Sequence, residues 1–141
     1  MDNCVFNRPF DDQSSIRIKL ETEAKLYIQE KIAQGELELI WSYILDYENE
    51  QNPFRERKSV IRYWRQLAAV DVEENDRILE KAGKLVTKGL KSKDALHIAC
   101  AIEAGAEYFV TTDDDIIKKA TEIEDIKVID VIQFAKVVEG K

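Results

Sequence analysis

The sequence predicts an α/β domain built around a parallel β-sheet. Short apolar runs of strand type alternate with longer segments of helical periodicity along the whole 141-residue chain. The run Tyr108–Thr111 is continuously apolar up to its last residue, as is typical of a parallel strand buried on both faces. Hydrophobic residues make up 45% of the chain, which is enough for a core without disulfide bonds. We expect residues 1–141 to form a single domain.

The first half of the chain predicts three helices and one strand. Residues 14–34 carry apolar side chains at helical spacing, so they predict a long helix. Residues 37–41 predict a short strand. Ser42 is a favourable N-cap for a helix over residues 42–49. A proline break then precedes a helix expected over residues 54–69.

The second half continues the alternation of helices and strands. Asp71 is expected to begin a helix that ends at Gly89, because Asp71 and Glu74 have the spacing of a capping box. Ser92 is expected to cap the next helix, which ends at Gly105. The remaining elements are a strand over Tyr108–Thr111, a helix over 113–121, a strand at 128–129 and a helix over 131–138.

Acidic side chains follow two of the predicted strands. Asp113 comes directly after the strand that ends near Thr111, and Glu48 lies in the helix after the strand at 37–41. Asp94 lies in the first turn of the helix that Ser92 is expected to cap, and Asp2 stands at the N-terminus. Because the carboxyl ends of parallel strands form the working edge of such sheets, we expect these acids to gather there.

Each of these residues also has an ordinary structural interpretation. Asp94 suits the positive end of a helix dipole, and Thr112 with Asp115 has capping-box spacing. His97, the single histidine of the sequence, is expected to be a partly buried helix residue bonded locally. The acids argue for a site through their convergence and not one by one.

Four stretches together resemble the PIN domain family. They are residues 2–7, 42–48, 93–99 and 111–113, and they come in the family's order over most of the chain. The resemblance implies a Rossmann-like three-layer α/β/α sandwich with a parallel sheet and a metal-dependent endoribonuclease, and many relatives are toxins of toxin–antitoxin pairs. The family's first strand precedes its first acid, whereas only Met1 precedes Asp2, so either that strand is lacking or the true N-terminus lies upstream of Met1.

The resemblance also implies roles for individual residues and a cofactor. Mg²⁺ or Mn²⁺ is expected, because hard divalent ions prefer carboxylate oxygens and water. The implied catalytic and metal-binding residues are Asp2, Glu48, Asp94 and Asp113. The implied supporting residues are Thr111, Thr112 and Asp115.

Charge and composition bear on the partners and the location. The net charge of −7 counts against a simple phosphate-binding surface, although a cluster of acids for metal would contribute to it. No apolar run reaches the length of a membrane span and no signal peptide is evident, so we expect a cytoplasmic protein with no membrane partner. The implied partners are an RNA substrate and an antitoxin protein, and a homodimer is left open.

Two other functions remain as alternatives. The first is a catalytically degenerate PIN fold that binds a protein or RNA partner without cutting it. The second is a receiver-like signalling domain, which also gathers acids at strand ends. A receiver needs a phosphoacceptor aspartate at the end of a central strand and a lysine on a later strand, and neither is evident in the sequence.

Overall fold

Helices and short strands alternate along the chain, as the sequence predicts. A computed structural model describes residues 3–140, with side chains from residue 5 onward, so Asp2 lies outside the described residues. The elements are, in order, α1 (Asn3–Asn7), a 3₁₀ turn (Arg8–Phe10), α2 (Ile16–Ala33), β1 (Ile40–Ser42), α3 (Tyr43–Glu50), α4 (Arg55–Tyr63), a 3₁₀ turn (Trp64–Leu67), β2 (Val70–Val72), α5 (Asp76–Thr87), α6 (Ser92–Glu103), β3 (Tyr108–Thr111), α7 (Asp114–Lys119), β4 (Lys127–Asp130) and α8 (Val131–Glu139).

The strands form two parallel pairs. β1 pairs with β2, with Ile40 opposite Val70, and β3 pairs with β4, with Thr111 opposite Asp130. A parallel pair needs a crossover between its strands, and helices supply it in both pairs. The predicted parallel α/β class is therefore confirmed.

Alternate side chains along the strands enter two different layers of helices. Phe109 packs in a cluster with residues of α5, α6 and α7, whereas its neighbour Val110 packs with residues of α2 and α8. Ile40 and Trp41 of β1 divide between the same two clusters. Because successive side chains of a strand point to opposite faces, the strands lie between two helical layers. This is the expected α/β/α sandwich.

The segment after Asp71 corrects the sequence-based expectation. Asp71 does not begin a helix, because it lies in β2 opposite Trp41. The N-cap of α5 is Asn75, whose Oδ1 accepts a hydrogen bond from the Ile78 amide at 2.9 Å. Pairing with β1 and burial of Val72 therefore outweigh the capping-box pattern, which is a purely local signal.

Other boundaries agree more closely with the predictions. Ser42 caps α3 by accepting a hydrogen bond from the Leu45 amide at 3.4 Å, as expected. α2 ends before Gly35, whose φ of 79° is the left-handed conformation that favours glycine after a helix. The expectation for Ser92 was wrong, because Lys91 occupies the N-cap position of α6 and no side-chain cap bond is formed there.

Two predicted elements are shorter than expected. The strand expected at 37–41 forms at Ile40–Ser42, and the helix expected over 54–69 divides into α4 and the 3₁₀ turn at Trp64–Leu67. In each case the hydrophobic pattern continues beyond the regular hydrogen bonding. Residues such as Leu39, which is 3% exposed, are buried without belonging to a strand.

A cavity of about 480 Å³ borders both strand pairs. Its lining includes Leu39 and Ile40 at β1, Tyr108 and Val110 at β3, and apolar residues of α2, α6 and α8. Among the described residues, β1 and β3 share no ladder of hydrogen bonds. The cavity is therefore bordered by strands from both pairs and by apolar side chains, a setting that suits an added strand.

We expect an apolar strand fused ahead of α1 to stabilise the protein. α1 contacts β3, which borders the cavity, so we expect a segment joined to the start of α1 to reach the cavity. A five-residue fusion rich in Val and Ile should raise the melting temperature by about 5 °C through apolar burial and new ladder hydrogen bonds. A matched fusion with proline at alternate positions lacks the backbone donors and should give no rise. Equal melting temperatures for the two fusions would contradict this expectation.

Candidate active site

Glu48 and His97 form a contact between α3 and α6. The Glu48 carboxylate lies against Nε2 of His97, which is 49 positions away in sequence. His97 is 5% exposed, and Glu48 is partly buried. The expected local bond of His97 is therefore wrong, since its partner lies on another helix. The spacing from Asp94, about one helical turn, was the sequence signal that linked His97 to the acids.

Asp94 lies in the first turn of α6 and is partly buried. The dipole of α6 favours a carboxylate in this position near the helix N-terminus. Because His97 follows one turn later on the same helix, its contact brings Glu48 beside the Asp94 end of α6. The helices that carry two of the four expected acids, α3 and α6, thus pack against each other.

Asp113 caps the helix that follows β3. Its Oδ1 accepts hydrogen bonds from the amides of Asp115 at 2.9 Å and Ile116 at 3.4 Å. The hydroxyl of Thr111, at the end of the strand, accepts a bond from the Asp113 amide at 3.1 Å. The suggested capping box of Thr112 with Asp115 is therefore wrong, because Asp113 is the cap. These bonds fix the Asp113 carboxylate at the carboxyl end of β3.

The two remaining supporting residues have different surroundings. Thr112 is 4% exposed, and its hydroxyl has no hydrogen-bond partner among the described residues. A buried polar atom without a partner is costly, so a ligand at this point would be favoured. Asp115 is exposed and pairs with Lys119 at 2.9 Å, and the hydrogen bond from Lys119 holds the pKa of Asp115 below its usual value.

An arginine network that sequence reasoning missed supports the turn after β3. Arg17 on α2 makes two hydrogen bonds to Asp114, at 2.7 and 2.8 Å, and one to the Thr112 carbonyl at 3.2 Å. The bond from Arg17 lowers the pKa of Asp114. Glu21, which is 1% exposed, accepts bonds from both Arg17 and Arg8. No local pattern identifies the contacts of Arg17 with Thr112 and Asp114, which are 95 and 97 positions away, and these contacts anchor the turn that carries Asp113.

The donor chemistry of these residues suits a hard divalent cation. Glu48, Asp94 and Asp113 offer partly buried carboxylates, and Thr112 offers a hydroxyl. Within residues 5–140, no three His, Cys, Asp or Glu side chains stand in an arrangement that would hold a metal. Asp2 is not part of that range, so its expected place in the site stays a prediction.

Most of the chain matches the model of a known protein family. The family model described as PIN domain matches residues 4–122, a range that contains Glu48, Asp94 and Asp113 and begins after Asp2. A comparison with curated proteins returned no match. None of the helices within the described part of the chain has the length and apolar character of a membrane span. Since the family match covers most of the chain and agrees with the observed fold, the protein belongs to the PIN domain family.

Proposed function

We propose that this protein is a metal-dependent endoribonuclease that hydrolyses RNA phosphodiesters. PIN domains are generally nucleases that use divalent metal and bind RNA. The observation that carries the proposal is the contact of Glu48 with His97, because it brings one motif's acid against the helix that bears Asp94. The capped and anchored Asp113 at the end of β3 is the second support.

Each acid has a specific part in this proposal. Asp2, Asp94 and Asp113 are metal ligands, with Mg²⁺ or Mn²⁺ as the ion, and Glu48 either binds the ion or orients the attacking water. A bound ion supplies an activated water and charge stabilisation at the scissile phosphate. His97 is a positioning residue, since it touches Glu48 from a buried place and holds its carboxylate.

The other supporting side chains act on the same turn. Thr111 holds the Asp113 amide, and Thr112 offers its unpartnered hydroxyl to a ligand or a phosphate oxygen. Asp115 acts through water, because its carboxylate is exposed and paired with a lysine. These roles leave the binding of the metal to Asp2, Glu48, Asp94 and Asp113.

Purified protein should cleave single-stranded RNA when Mg²⁺ or Mn²⁺ is present. Excess EDTA should stop the reaction, because the carboxylates alone supply no activated water. Adding the metal back should restore cleavage in the same sample. The measurement is the appearance of fragments from an end-labelled oligonucleotide, and cleavage that persists in EDTA would contradict the metal-dependent mechanism.

The alternative is a degenerate PIN fold that binds RNA or protein without cutting. The same assay separates the two, since a degenerate module would bind the oligonucleotide and leave it intact at every metal concentration. The described side chains favour the nuclease, because Glu48, Asp94 and Asp113 all remain carboxylates.

The toxin role, the partners and the cellular location belong to the same proposal. An antitoxin protein should suppress cleavage when it is co-purified with this chain, and a homodimer would show as a doubled mass in solution. The cytoplasm suits the thiol of Cys100, which is 1% exposed and whose pKa burial raises to about 11.

A further inference from the structure

A second cleft lies next to Glu48. It has a volume of about 330 Å³ and is formed by the end of α1, the end of α3, the turn before α4, and the start of α6. The residues that matter for its chemistry are Asn7, Glu48, Asn52, Phe54, Arg57 and Lys93. Because Glu48 belongs to both, this cleft is continuous with the candidate active site.

One exposed aromatic ring lines this cleft and a second stands beside it, each with a cation over it. Phe54 lines the cleft and is 53% exposed, and the Arg57 guanidinium carbon lies 4.2 Å from the centre of its ring. Tyr47, the neighbour of Glu48, is 52% exposed, with Lys93 Nζ 5.4 Å from its ring centre. Aromatic rings beside basic side chains are the combination that binds single-stranded nucleic acid.

The wall that carries Phe54 is fixed by hydrogen bonds. The Phe54 amide donates to Asn52 Oδ1 at 3.1 Å, and the Asn52 amide group donates to Asn7 Oδ1 at 3.4 Å. Arg57 donates to the Phe10 carbonyl at 2.6 Å. A ring held in place before binding loses little freedom when a base stacks on it.

We propose that this cleft, together with Tyr47, binds the single-stranded nucleotides that flank the scissile phosphate. Phe54 and Tyr47 stack on bases, and Lys93 binds a backbone phosphate. Arg57 packs over the Phe54 ring, and Asp11, which also lines the cleft, lies 3.7 Å from the Arg57 guanidinium. The inference rests on the proposed function only in taking RNA as the substrate.

This arrangement selects single strands over duplexes. In a duplex the bases stack on one another, so their faces are not available to side chains. The face of an unpaired base is free to stack on an exposed ring without any base pair being broken first, and every base has such a face. Tyr47 and Phe54 are therefore substrate-binding residues that bring a single strand to the acids.

The test is binding of a labelled single-stranded oligonucleotide in EDTA, where metal-dependent cleavage is off. Tyr47→Ala and Phe54→Ala should each weaken binding by about tenfold. Tyr47→Phe and Phe54→Trp keep an aromatic ring at each position, so they should bind as tightly as the parent. The matched control is Tyr63→Ala, because Tyr63 is 56% exposed on α4, does not line the cleft, and has its ring against Trp64 instead of a cleft residue. Lys93→Gln should lower the slope of affinity against salt by about one phosphate contact.

Several results would overturn the inference. These are unchanged binding in both alanine variants, an equal loss in Tyr63→Ala, no binding by the parent protein, or equal binding of duplex RNA. Melting temperatures of all variants should match the parent, which excludes loss of binding through unfolding. A parent protein that binds but never cleaves with added metal would remove the nuclease proposal and leave the binding cleft in place.

Discussion

Asp94→Asn is expected to lower the rate of RNA cleavage by at least about 100-fold while the protein stays folded. The amide keeps the shape of the side chain but removes the charge that attracts a divalent ion. It also relieves repulsion between neighbouring carboxylates, so the melting temperature in metal-free buffer should equal or exceed that of the parent. The measurements are initial cleavage rates at saturating Mg²⁺ and thermal melts in EDTA.

The same exchange at Asp113 separates its two roles. Asp113 caps α7 as well as belonging to the proposed metal site, and asparagine is about as good an N-cap as aspartate. Asp113→Asn should therefore lose activity and keep stability, whereas Asp113→Ala should lose both, with a cost of about 1 kcal/mol in the free energy of unfolding. If Asp113 served only as the cap of α7, Asp113→Ala would lose stability but Asp113→Asn would keep both stability and activity.

The control for both variants is Asp125→Asn. Asp125 is an exposed carboxylate paired with Lys81 at 2.6 Å, and it belongs to none of the four acid motifs. Its replacement should leave cleavage unchanged, because Asp125 is not part of the proposed metal site. The melting temperature should also change little, because surface ion pairs contribute little to stability. Full activity of Asp94→Asn under the same conditions would reject the assignment of this residue to the metal site.

The elements that the sequence predicts best are those whose signals are local and repeated. The periodic apolar residues of α2, the Ser42 cap of α3 and the apolar run of β3 all correspond to observed elements. β2 was missed because it has only three residues and its evidence lies in β1, to which it pairs. A capping-box pattern at Asp71 was a stronger local signal than three residues of strand character.

In the candidate site, too, local patterns identified individual residues but not the long-range contacts between them. Spacing and motif order selected Glu48, Asp94 and Asp113, which the family match includes. Spacing did not reveal that Glu48 meets His97 or that Arg17 holds Asp114, since those pairs are 49 and 97 positions apart. Long-range side-chain contacts depend on how helices pack, and a single sequence does not encode them in any local pattern.

Lys25 is a second feature that periodicity hides. It lies on α2 and is 3% exposed, with Nζ 5.8 Å from the centre of the Phe6 ring. Burial disfavours its charged form and lowers the pKa of Lys25 to about 8. The cation–π contact with the Phe6 ring recovers part of that cost. Because the pKa of Lys25 is nevertheless lowered, the cost of burial is the larger effect.

The lowered pKa makes stability depend on pH in a definite direction. Unfolded, the lysine titrates near its ordinary pKa of 10.5, and folded it titrates near 8. Between these values the unfolded state binds more protons, so the free energy of unfolding rises with pH. The cost of burying the charge is fully present below about pH 8 and is removed as the pH rises through about 10.5.

Lys25→Met should therefore raise the free energy of unfolding by about 2–3 kcal/mol at pH 7. Methionine fills a similar volume without a charge, and the melting temperature should rise by roughly 10 °C. The gain should shrink as the pH is raised from 8 to 10, because the cost of losing the ammonium proton on folding falls as the pH approaches the unfolded pKa of 10.5. The matched control is Lys19→Met, an exposed position on the same helix, which should change stability by less than about 0.5 kcal/mol. Chemical denaturation at pH 7 and pH 10 measures the free energy of unfolding of the parent and both variants. Burial of the ammonium would carry no cost if Lys25→Met were no more stable than the parent at pH 7, or if its gain were as large at pH 10 as at pH 7.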